Sequence, residues 1–521
     1  MDARHWTGFT LTAATLMLAL PLWRVWAPAM PDYPAHLASF ALIQQGGFFG
    51  LGGAGGNSIY HLQWSFVPNL ASEVLVPWLA RLTGLVTATK LFLTAGIVMW
   101  VMGPGMIHRA LYGRTGISPL FGAMFAYNAN FIWGFFNYYF SAGLAFAVFA
   151  GWIATDGNRG PARLAGFALA VTILYFCHIF AAASLVLMIA GYEIAQNWRL
   201  EKHDLKALVR RAGIAALVYV PAALAFLFLK PRSGDEGGVQ FNLADTMADR
   251  FESLVNHAFD DPAYALPAIL FLGLILALVL KKARLHPAMW VTLVLMFLAA
   301  LLAPEWALGG WAVHLRLPAV FASLLFAAAE IRLKPVLRVT LAVAALATIA
   351  SFSVGLASDW MAYDKQFGEF RASLASLPRG VRLLTVLDGN ALGERADQPY
   401  WHMAEFAVPE RGAFTPLLFT TKGQHVVQLN PPYDKIAAAS AQQGSPPDID
   451  ELGFLAKGDV NADEDIKDIF PYLIHFQCHF DVAVVIHLDG KRTPVPPMLK
   501  LRQAHSFFST YDIIPDKACR T

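Results

Sequence analysis

The residues best suited to chemistry lie in the stretch Met30-Pro31-Asp32-Tyr33-Pro34-Ala35-His36-Leu37. A carboxylate at Asp32 can act as a general base toward a hydroxyl, or as a ligand for a hard divalent cation. The structural alternative is a helix cap, because Asp is common just before a helix that opens with Pro. If a helix starts at Pro34, His36 lies one turn beyond Asp32 on the same face. His36 is therefore a candidate for substrate contact, with a structural histidine at the membrane interface as the alternative.

The composition indicates a polytopic membrane protein. Hydrophobic residues make up 56% of the 521 residues and charged residues only 15%, which is more apolar than one soluble core requires. The net charge of +2 is too small to indicate nucleic acid as a partner, and the basic residues lie in short loops between apolar spans; the expected partners include membrane lipids and no nucleic acid. The cysteines Cys177, Cys478 and Cys519 form no metal-binding spacing, and only Cys478 and Cys519 could pair, if both lie outside.

Apolar runs of about 17 to 25 residues, the length that crosses a bilayer core, predict about eleven transmembrane helices. They cover roughly 8–28, 84–105, 117–132, 138–154, 163–178, 180–196, 212–229, 264–280, 287–303, 315–331 and 336–356. The close spacing within 117–154 and 163–196 leaves the count open. Cleavage of the first run as a signal peptide is the alternative at Ala27-Pro28-Ala29, but the bulky and charged residues before that site favour an uncleaved helix.

Lys and Arg gather in alternate loops, which predicts the orientation in the membrane. The basic loops around 109–114, 159–163, 199–211, 281–284 and 332–338 are expected to be cytoplasmic. The N-terminus then lies in the cytoplasm, and the long loop 29–83 lies outside. An odd number of spans places all residues after 357 on that same outer side, so the predicted location is a bacterial inner membrane with a periplasmic C-terminal domain.

Residues 357–521 have the composition of a soluble α/β domain rather than of further spans. Strands are predicted at 381–387, 425–429 and 480–486, and helices at 358–376 and 463–478. In the first outer loop, residues 64–82 read as an interfacial helix. The predicted fold class is a polytopic α-helical membrane domain, residues 1–356, followed by a C-terminal extracytoplasmic α/β domain, residues 357–521.

This layout resembles the GT-C superfamily of integral membrane glycosyltransferases. Asp32-Tyr33-Pro34 is similar to the Asp-Tyr-Pro at the matching place in dolichol-linked glucosyltransferases, and residues 31–37 look like a signature of bacterial members. The resemblance implies a polyprenyl-phosphate-linked sugar donor and an active site on the outer membrane face. It also implies that Asp32 is the catalytic carboxylate.

One departure from the family pattern concerns metal. Many members carry two adjacent acids, whereas Tyr33 follows Asp32 here, and Glu73 is the only other acid in the first outer loop. No metal ligand is assigned. A requirement for Mg²⁺ or Mn²⁺ stays open beside a metal-free inverting mechanism.

Cations at the outer ends of spans are candidates for the donor's phosphate, because Arg and Lys bind phosphate oxygens. Arg316, with His314 two residues before it, is the first choice, and Lys230 and Arg232 are the second. For each cation the alternative is a snorkelling side chain that anchors a helix end.

Further candidate substrate-binding residues are Glu73, Asn137 and His178. Asn137 lies in an outer-facing connection that mixes amides with aromatic rings, which suits a sugar, although the aromatic belt of a membrane interface is the commoner reason for such a mixture. His178 ends an apolar run, where a polar group can line a cavity or contact lipid headgroups.

The leading hypothesis is an inverting hexosyl- or pentosyltransferase that uses a polyprenyl-phosphate donor and a glycan, lipid or protein acceptor. The first alternative is a transporter or flippase for a lipid-linked glycan, and the second is a non-catalytic scaffold in polysaccharide assembly. Transport favours ionisable residues near the bilayer centre. The apolar runs have few of these, Lys90 and Glu193 being the exceptions.

Overall fold

The computed structural model describes residues 3–47, 57–158, 160–200, 204–229, 238–243, 247–254, 265–389, 397–437, 445–456, 470–488, 490 and 492–520. The chain divides into two compact units. The first unit comprises Met1–Val25, Phe66–Val74 and Lys90–Asp359, and the second comprises Trp26–Ser65, Leu75–Thr89 and Trp360–Thr521. The sequence-based division at 356/357 stays a prediction. Of the helix predicted at 463–478, residues 463–469 lie outside the described residues, and the remainder is broken into a 3₁₀ segment at Pro471–Leu473 and a short helix at Phe476–His479.

The described α-helices follow one another along the chain. They are α1 (Ala3–Arg24), α2 (Tyr33–Gly46), α3 (Ala71–Thr83), α4 (Leu85–Tyr112), α5 (Ser118–Ala123), α6 (Ala129–Trp133), α7 (Phe136–Ala154), α8 (Pro161–Cys177), α9 (Ile179–Leu200), α10 (Leu205–Leu217), α11 (Val220–Phe228), α12 (Met247–Glu252), α13 (Ala265–Val279), α14 (Trp290–Leu302), α15 (Leu317–Ala328), α16 (Pro335–Ser373), α17 (Ala407–Arg411), α18 (Tyr433–Ile436), α19 (Ile449–Ala456) and α20 (Phe476–His479). The strands are β1 (Tyr60–Leu62), β2 (Ala283–Leu285), β3 (Ala329–Ile331), β4 (Leu383–Asp388), β5 (Val427–Leu429), β6 (Val482–His487), β7 (Leu499–Ala504) and β8 (Phe508–Ile513).

Within these described ranges, four helices are long and apolar enough to cross a membrane, namely α4, α7, α9 and α16. The pair α10 and α11, bent by 54°, makes a fifth if it is one broken span. Shorter apolar helices occupy 161–177, 265–279, 287–302 and 313–328, where further spans are predicted. The protein is therefore a helical membrane protein, while the count of eleven stays a prediction.

The run 117–132 does not form the single helix that its apolar content predicts. It contains α5, a 3₁₀ segment at Met124–Tyr127, and α6. Asn128 causes the break, because its side chain accepts a hydrogen bond from the backbone N–H of Asn130 at 3.0 Å and so begins a new helix. Gly134 then ends α6 with a φ of 90°, a left-handed conformation that favours glycine.

The run predicted at 315–331 ends as a helix at Ala328 and continues as β3, which pairs antiparallel with β2. Glu330 on β3 explains the change. Its carboxylate binds Arg114 at 2.6 Å, Arg284 at 2.7 Å and Arg332 at 3.3 Å. An acid with three arginine partners is more stable at a polar helix end than within a span.

The second unit contains a mixed sheet in the order β4-β6-β8-β7, with β4 and β6 parallel and the other pairs antiparallel. The strands predicted at 381–387, 425–429 and 480–486 correspond to β4, β5 and β6. The sequence analysis did not predict β1, β7 or β8. Strand β1 belongs to the loop 29–83 and pairs antiparallel with β5.

Helix α16 runs without interruption from Pro335 to Ser373, whereas the sequence suggested a span at 336–356 and a separate helix at 358–376. No helix-breaking Pro lies between the two predicted pieces, so only the composition changes there. Cys478 and Cys519 form a disulfide, which the sequence left open.

Close packing in the first unit positions the start of α7 and of α9. Gly191 lets α9 approach α14, since a Cβ at Gly191 would lie 2.5 Å from the backbone nitrogen of Thr292. The indole N–H of Trp100 on α4 donates to the carbonyl of Tyr139 on α7 at 2.8 Å. The amino-terminal turn of α7, which carries Asn137 and Tyr138, is thereby fixed.

Candidate functional site

Asp32 lies at the start of α2, where the local sequence forms a turn and then a helix. The N–H of Tyr33 donates to the carbonyl of Met30 at 3.1 Å, and Pro34 occupies the first turn of the helix, as its fixed φ allows. Asp32 holds the N-cap position, but its side chain accepts no capping hydrogen bond from the helix. Its carboxylate is therefore not used in the way that the capping alternative requires.

Two further ionisable side chains lie next to Asp32 in sequence of contact, His402 beside Asp32 and Glu405 beside His402. We call these three residues the Asp32 cluster. Nε2 of His402 lies 4.0 Å from Oδ1 of Asp32, and Nδ1 of the same ring lies 3.8 Å from Oε1 of Glu405. The side chains are 16%, 5% and 1% exposed for Asp32, His402 and Glu405 respectively. One imidazole thus lies between two carboxylates, all three largely removed from water.

The charges around His402 decide its protonation. Burial of the ring lowers the pKa of His402, but the nearby carboxylates of Glu405 and Asp32 outweigh burial, so the pKa rises above its usual 6.5. Neither carboxylate oxygen of Glu405 has a hydrogen-bond partner among the residues that the structure describes. His402 is the basic side chain beside both acids, so a proton on its ring would compensate their charge.

Phe419 forms the aromatic wall of the Asp32 cluster. Its ring centroid lies 5.0 Å from that of His402 and 5.3 Å from that of His36, both edge to face. His425 stacks on Phe419 at 5.5 Å, and burial lowers the pKa of His425 to about 4, so this ring is neutral. His36, a predicted substrate-binding residue, also stacks on Phe40 at 5.8 Å and is buried.

The chain just before Asp32 is held by α16. The carboxylate of Asp364 accepts hydrogen bonds from the backbone N–H groups of Trp26 and Ala27, each at 2.9 Å. The guanidinium of Arg371 lies 3.5 Å from the ring centroid of Trp26 and binds Glu410 at 2.7 Å. These backbone and side-chain contacts together fix the segment of chain that precedes the turn at Asp32.

Arg316 belongs to the first unit, at the N-cap of α15. We call Arg316, His178 and His314 the Arg316 cluster. Nη1 of Arg316 lies 3.0 Å from Nε2 of His178, and Nη2 donates to the carbonyl of Trp311 at 3.0 Å. The rings of Phe135, Tyr138 and Phe180 lie 5.0 to 5.4 Å from the guanidinium. Arg316 is 8% exposed, so its side chain is enclosed and does not snorkel into solvent.

His314 is buried near Arg316 in the chain and faces an acid. Its Nε2 lies 3.8 Å from Oδ2 of Asp249. Burial, followed by the positive charges of Arg250 and Arg316, lowers the pKa of His314 to about 4. His314 is therefore neutral near pH 7.

Glu73 and Asn137, two further predicted residues, contact each other in the first unit. The amide of Asn137 donates to Oε2 of Glu73 at 2.8 Å and to the carbonyl of Asn69 at 3.1 Å, while its oxygen accepts from the N–H of Ser72 at 2.6 Å. The hydroxyl of Ser72 also donates to Glu73. Burial raises the pKa of Glu73 to about 7 despite these hydrogen bonds.

The sequence-predicted residues thus fall into separate groups. Arg316 contacts His178, Glu73 contacts Asn137, and Asp32 belongs to the second unit, where its charged neighbour is a residue that the sequence analysis missed. Lys230 and Arg232 lie outside the described residues. Among the residues that the structure describes, no three side chains of His, Cys, Asp or Glu are grouped to hold a metal ion. The question of Mg²⁺ or Mn²⁺ stays open.

His402 and Glu405 are the functional candidates that sequence reasoning missed. They lie far from Asp32 in the chain, so no local pattern joins them to it. Their own spacing is a signal, because His402-Met403-Ala404-Glu405 puts an imidazole and a carboxylate three residues apart within an apolar stretch.

A second hydrogen-bonded acid–histidine pair lies in the sheet of the second unit. Nδ1 of His487 lies 2.6 Å from Oδ2 of Asp388, and Nε2 of His487 lies 2.9 Å from Oγ of Ser509. The order of atoms is that of a Ser-His-Asp triad. Ser509 is 0% exposed, so no substrate reaches its hydroxyl, and the three residues instead bind β4, β6 and β8 together.

Comparison with known proteins gives likenesses of structure alone. No family model matches the chain. No curated protein matches it either. The chain is similar to the crystal structure of ArnT from Cupriavidus metallidurans bound to undecaprenyl phosphate, at 12% identity over 98% of both chains and a TM-score of 0.48. The apo state of the same protein gives 13% identity over 98% of both chains and a TM-score of 0.48.

The chain is also similar to the cryo-EM structure of the arabinofuranosyltransferase AftD from Mycobacteria. The identity is 16% over 99% of this chain and 40% of that chain, with a TM-score of 0.47. ArnT and AftD are GT-C glycosyltransferases, the superfamily that the sequence resembles. With TM-scores below 0.5, these likenesses carry no argument about the chemistry of this chain.

Proposed function

We propose that the protein is an integral membrane glycosyltransferase that moves a sugar from a polyprenyl-phosphate carrier to a hydroxyl of a glycan, lipid or protein acceptor. Asp32 is the general base. The observation that carries this proposal is the Asp32 carboxylate, which is largely buried at a helix start, makes no capping bond, and lies 4.0 Å from His402. A largely buried carboxylate beside an imidazole can take a proton from a bound hydroxyl.

The proposed reaction is a single displacement. The acceptor oxygen forms a bond to the anomeric carbon while the bond from that carbon to the phosphate oxygen breaks. The bonding electrons leave with the polyprenyl phosphate, and the acceptor proton passes to Asp32. One displacement inverts the configuration at the anomeric carbon, as predicted for this chain.

Arg316 is proposed to bind the phosphate of the donor. A guanidinium forms charge-assisted hydrogen bonds with phosphate oxygens, and an enclosed guanidinium loses less of that energy to water. His178 and His314 are proposed to orient the donor. For Lys230 and Arg232, phosphate binding rests on the sequence alone.

The C-terminal domain and Asp32 are proposed to lie in the periplasm. The alternation of basic loops supports this orientation, with the N-terminus in the cytoplasm. The disulfide between Cys478 and Cys519 gives independent support, because such bonds persist on the oxidising side of a membrane.

Transfer by the reconstituted protein tests the proposal. We would supply short-chain polyprenyl-phosphate hexoses and pentoses, labelled in the sugar, together with an envelope extract as the acceptor source. The expected result is labelled acceptor and released polyprenyl phosphate with the parent protein and with Asp434→Asn, an exposed carboxylate of the same unit, but not with Asp32→Asn. Equal transfer by Asp32→Asn would contradict the assignment of the base.

The transporter alternative is favoured by one observation, the 54° bend between α10 and α11, since transporters use broken helices. The charged residues in the spans weigh against it. Lys90 donates to the carbonyl of Val25, and Glu193 accepts from Trp152 and Arg211, so both have fixed partners. Net translocation of the labelled donor in proteoliposomes without transfer would favour the transporter. Restoration of a glycan phenotype by Asp32→Ala would favour the scaffold.

A further inference from the structure

We propose that His402 is a positioning residue for Asp32, an imidazolium whose two N–H groups face the carboxylates of Asp32 and Glu405 and fix the orientation and charge of the base. The inference rests on the proposed role of Asp32. Glu405 is the buried counter-charge that keeps the ring protonated.

One carboxylate lies near each ring nitrogen, and the backbone carbonyl of Leu417 is a further acceptor that favours the charged ring. Nε2 faces Asp32 at 4.0 Å and Nδ1 faces Glu405 at 3.8 Å. A neutral imidazole has one N–H donor, whereas an imidazolium has two. Only the charged ring can therefore donate toward both acids. The two separations exceed hydrogen-bond length, and such contacts often tighten when substrate binds.

The burial of Glu405 also requires a cation beside it. Glu405 is 1% exposed, and within the described ranges neither of its carboxylate oxygens has a hydrogen-bond partner. A buried carboxylate without hydrogen bonds is costly unless a cation lies beside it. His402 is the basic side chain that lies beside it among the described contacts.

The other titratable groups around His402 do not supply this charge. His425 stacks on Phe419 and is neutral because burial lowers its pKa to about 4. His36 lies edge to face with the same ring. Tyr60 and Tyr472, whose pKa values burial raises, are neutral phenols on the Glu405 side. The positive charge between Asp32 and Glu405 therefore belongs to His402.

The first test measures protonation and needs no substrate. NMR of the full-length protein in detergent, labelled with ¹⁵N in its 15 histidines, follows each ring through a pH titration. The spectrum of His402→Gln identifies the signal of His402. Glu405→Gln is expected to lower the His402 midpoint by about one pH unit or more, because it removes an opposite charge about 4 Å away. Asp32→Asn lowers it less.

The control in this titration is Asp434→Asn, which leaves the midpoint unchanged. A His402 midpoint that neither Glu405→Gln nor Asp32→Asn moves would overturn the inference. If His402→Gln does not fold, His402 is identified instead as the ring whose midpoint moves in both carboxylate variants. The absence of any such ring would overturn the inference equally.

The second test measures transfer. His402→Gln is expected to lower kcat roughly tenfold to a hundredfold with little change in the KM for acceptor, because the base is misoriented rather than removed. On the acid side of the pH–rate profile, the activity of His402→Gln is expected to fall off at a higher pH than that of the parent. Added imidazole is expected to restore part of the activity of His402→Ala but none to Asp32→Asn.

The outcomes separate this inference from the proposed function. If Asp32→Asn loses transfer while His402→Gln keeps the parent's kcat and pH profile, the role of His402 is wrong and the role of Asp32 stands. If Asp32→Asn keeps transfer, the proposed function is wrong, and the histidine titration still decides whether the three groups are coupled.

Discussion

The Asp32 cluster and the Arg316 cluster shift the pKa of a buried histidine in opposite directions. His402 lies between two carboxylates, which raise its pKa despite burial. His314 lies near Arg250 and Arg316, whose charges add to burial and lower its pKa to about 4. Both side chains are buried, so the difference between their pKa values comes from the neighbouring charges rather than from burial.

Two buried acids, Glu405 in the second unit and Glu73 in the first, differ in the same manner. Glu405 has an imidazole beside it, whereas the partners of Glu73 are the neutral groups of Asn137 and Ser72. Burial without a cation raises the pKa of Glu73 to about 7. The second unit thus keeps a paired set of charges near Asp32, and the first unit keeps a cation among aromatic rings and neutral hydrogen-bonding groups.

The largest expected effect is that of Asp32→Asn. The amide keeps the size of the side chain but does not take a proton, so transfer should fall about 10²- to 10⁴-fold, the usual contribution of a general base. The initial rate of sugar transfer is the measurement. A loss no greater than that of Asp434→Asn would remove the functional difference between the two clusters.

Arg316→Lys should have the next largest effect. Lysine keeps the charge but loses the planar fork that contacts His178 and the carbonyl of Trp311, so transfer should fall roughly tenfold to a hundredfold. The KM for the polyprenyl-phosphate sugar should rise more than the KM for acceptor. A change confined to the acceptor would contradict phosphate binding by Arg316.

Glu73→Gln should alter the pH dependence of stability. The pKa of Glu73 is about 7 in the folded protein and lower in the unfolded chain, so the folded state binds the proton more tightly. The contribution of Glu73 to the free energy of unfolding is fully present at acid pH. It falls as the pH rises toward 7, by an amount on the order of 2 to 3 kcal/mol. Thermal unfolding between pH 5 and 8 should therefore vary less in Glu73→Gln. An identical slope in both proteins would show that Glu73 is not the buried acid described here.

The smallest expected effect is that of His314→Gln on the pH profile. Because His314 is neutral above a pKa of about 4, its removal should leave the acid side of the rate profile where it is in the parent. His402→Gln should move that side to higher pH. A shift of equal size in both variants would remove the electrostatic contrast between the clusters.

The sequence predicted the elements whose signal is local. The apolar runs that became α4, α7 and α9, and the β-branched runs that became β4 and β6, follow directly from composition. Strand β7 was missed because Lys500, Arg502 and Gln503 are exposed on the sheet edge and give no alternation. The span boundary at 356 reflects a change of composition with no helix breaker, so α16 continues through it.

The site was predictable only where its residues are consecutive. Asp32 and Pro34 stand out because their types are unusual after an apolar run. His402 and Glu405 do not stand out in the sequence, because their candidate role depends on a contact with a residue far away in the chain. The same holds for Asp364, which binds the backbone of Trp26 and Ala27.

The pairing of β1 with β5 has a consequence for how the protein is made. The hydroxyl of Tyr60 donates to the carbonyl of Ala413, which lies 353 positions later. The loop that contains Asp32 leaves the ribosome long before the residues that surround it. If that loop is exported as it emerges, it stays in the periplasm without those surrounding residues until every later span has been inserted. The environment of Asp32 is therefore among the last parts of the protein to form, and a truncated chain would carry the acid without its imidazole.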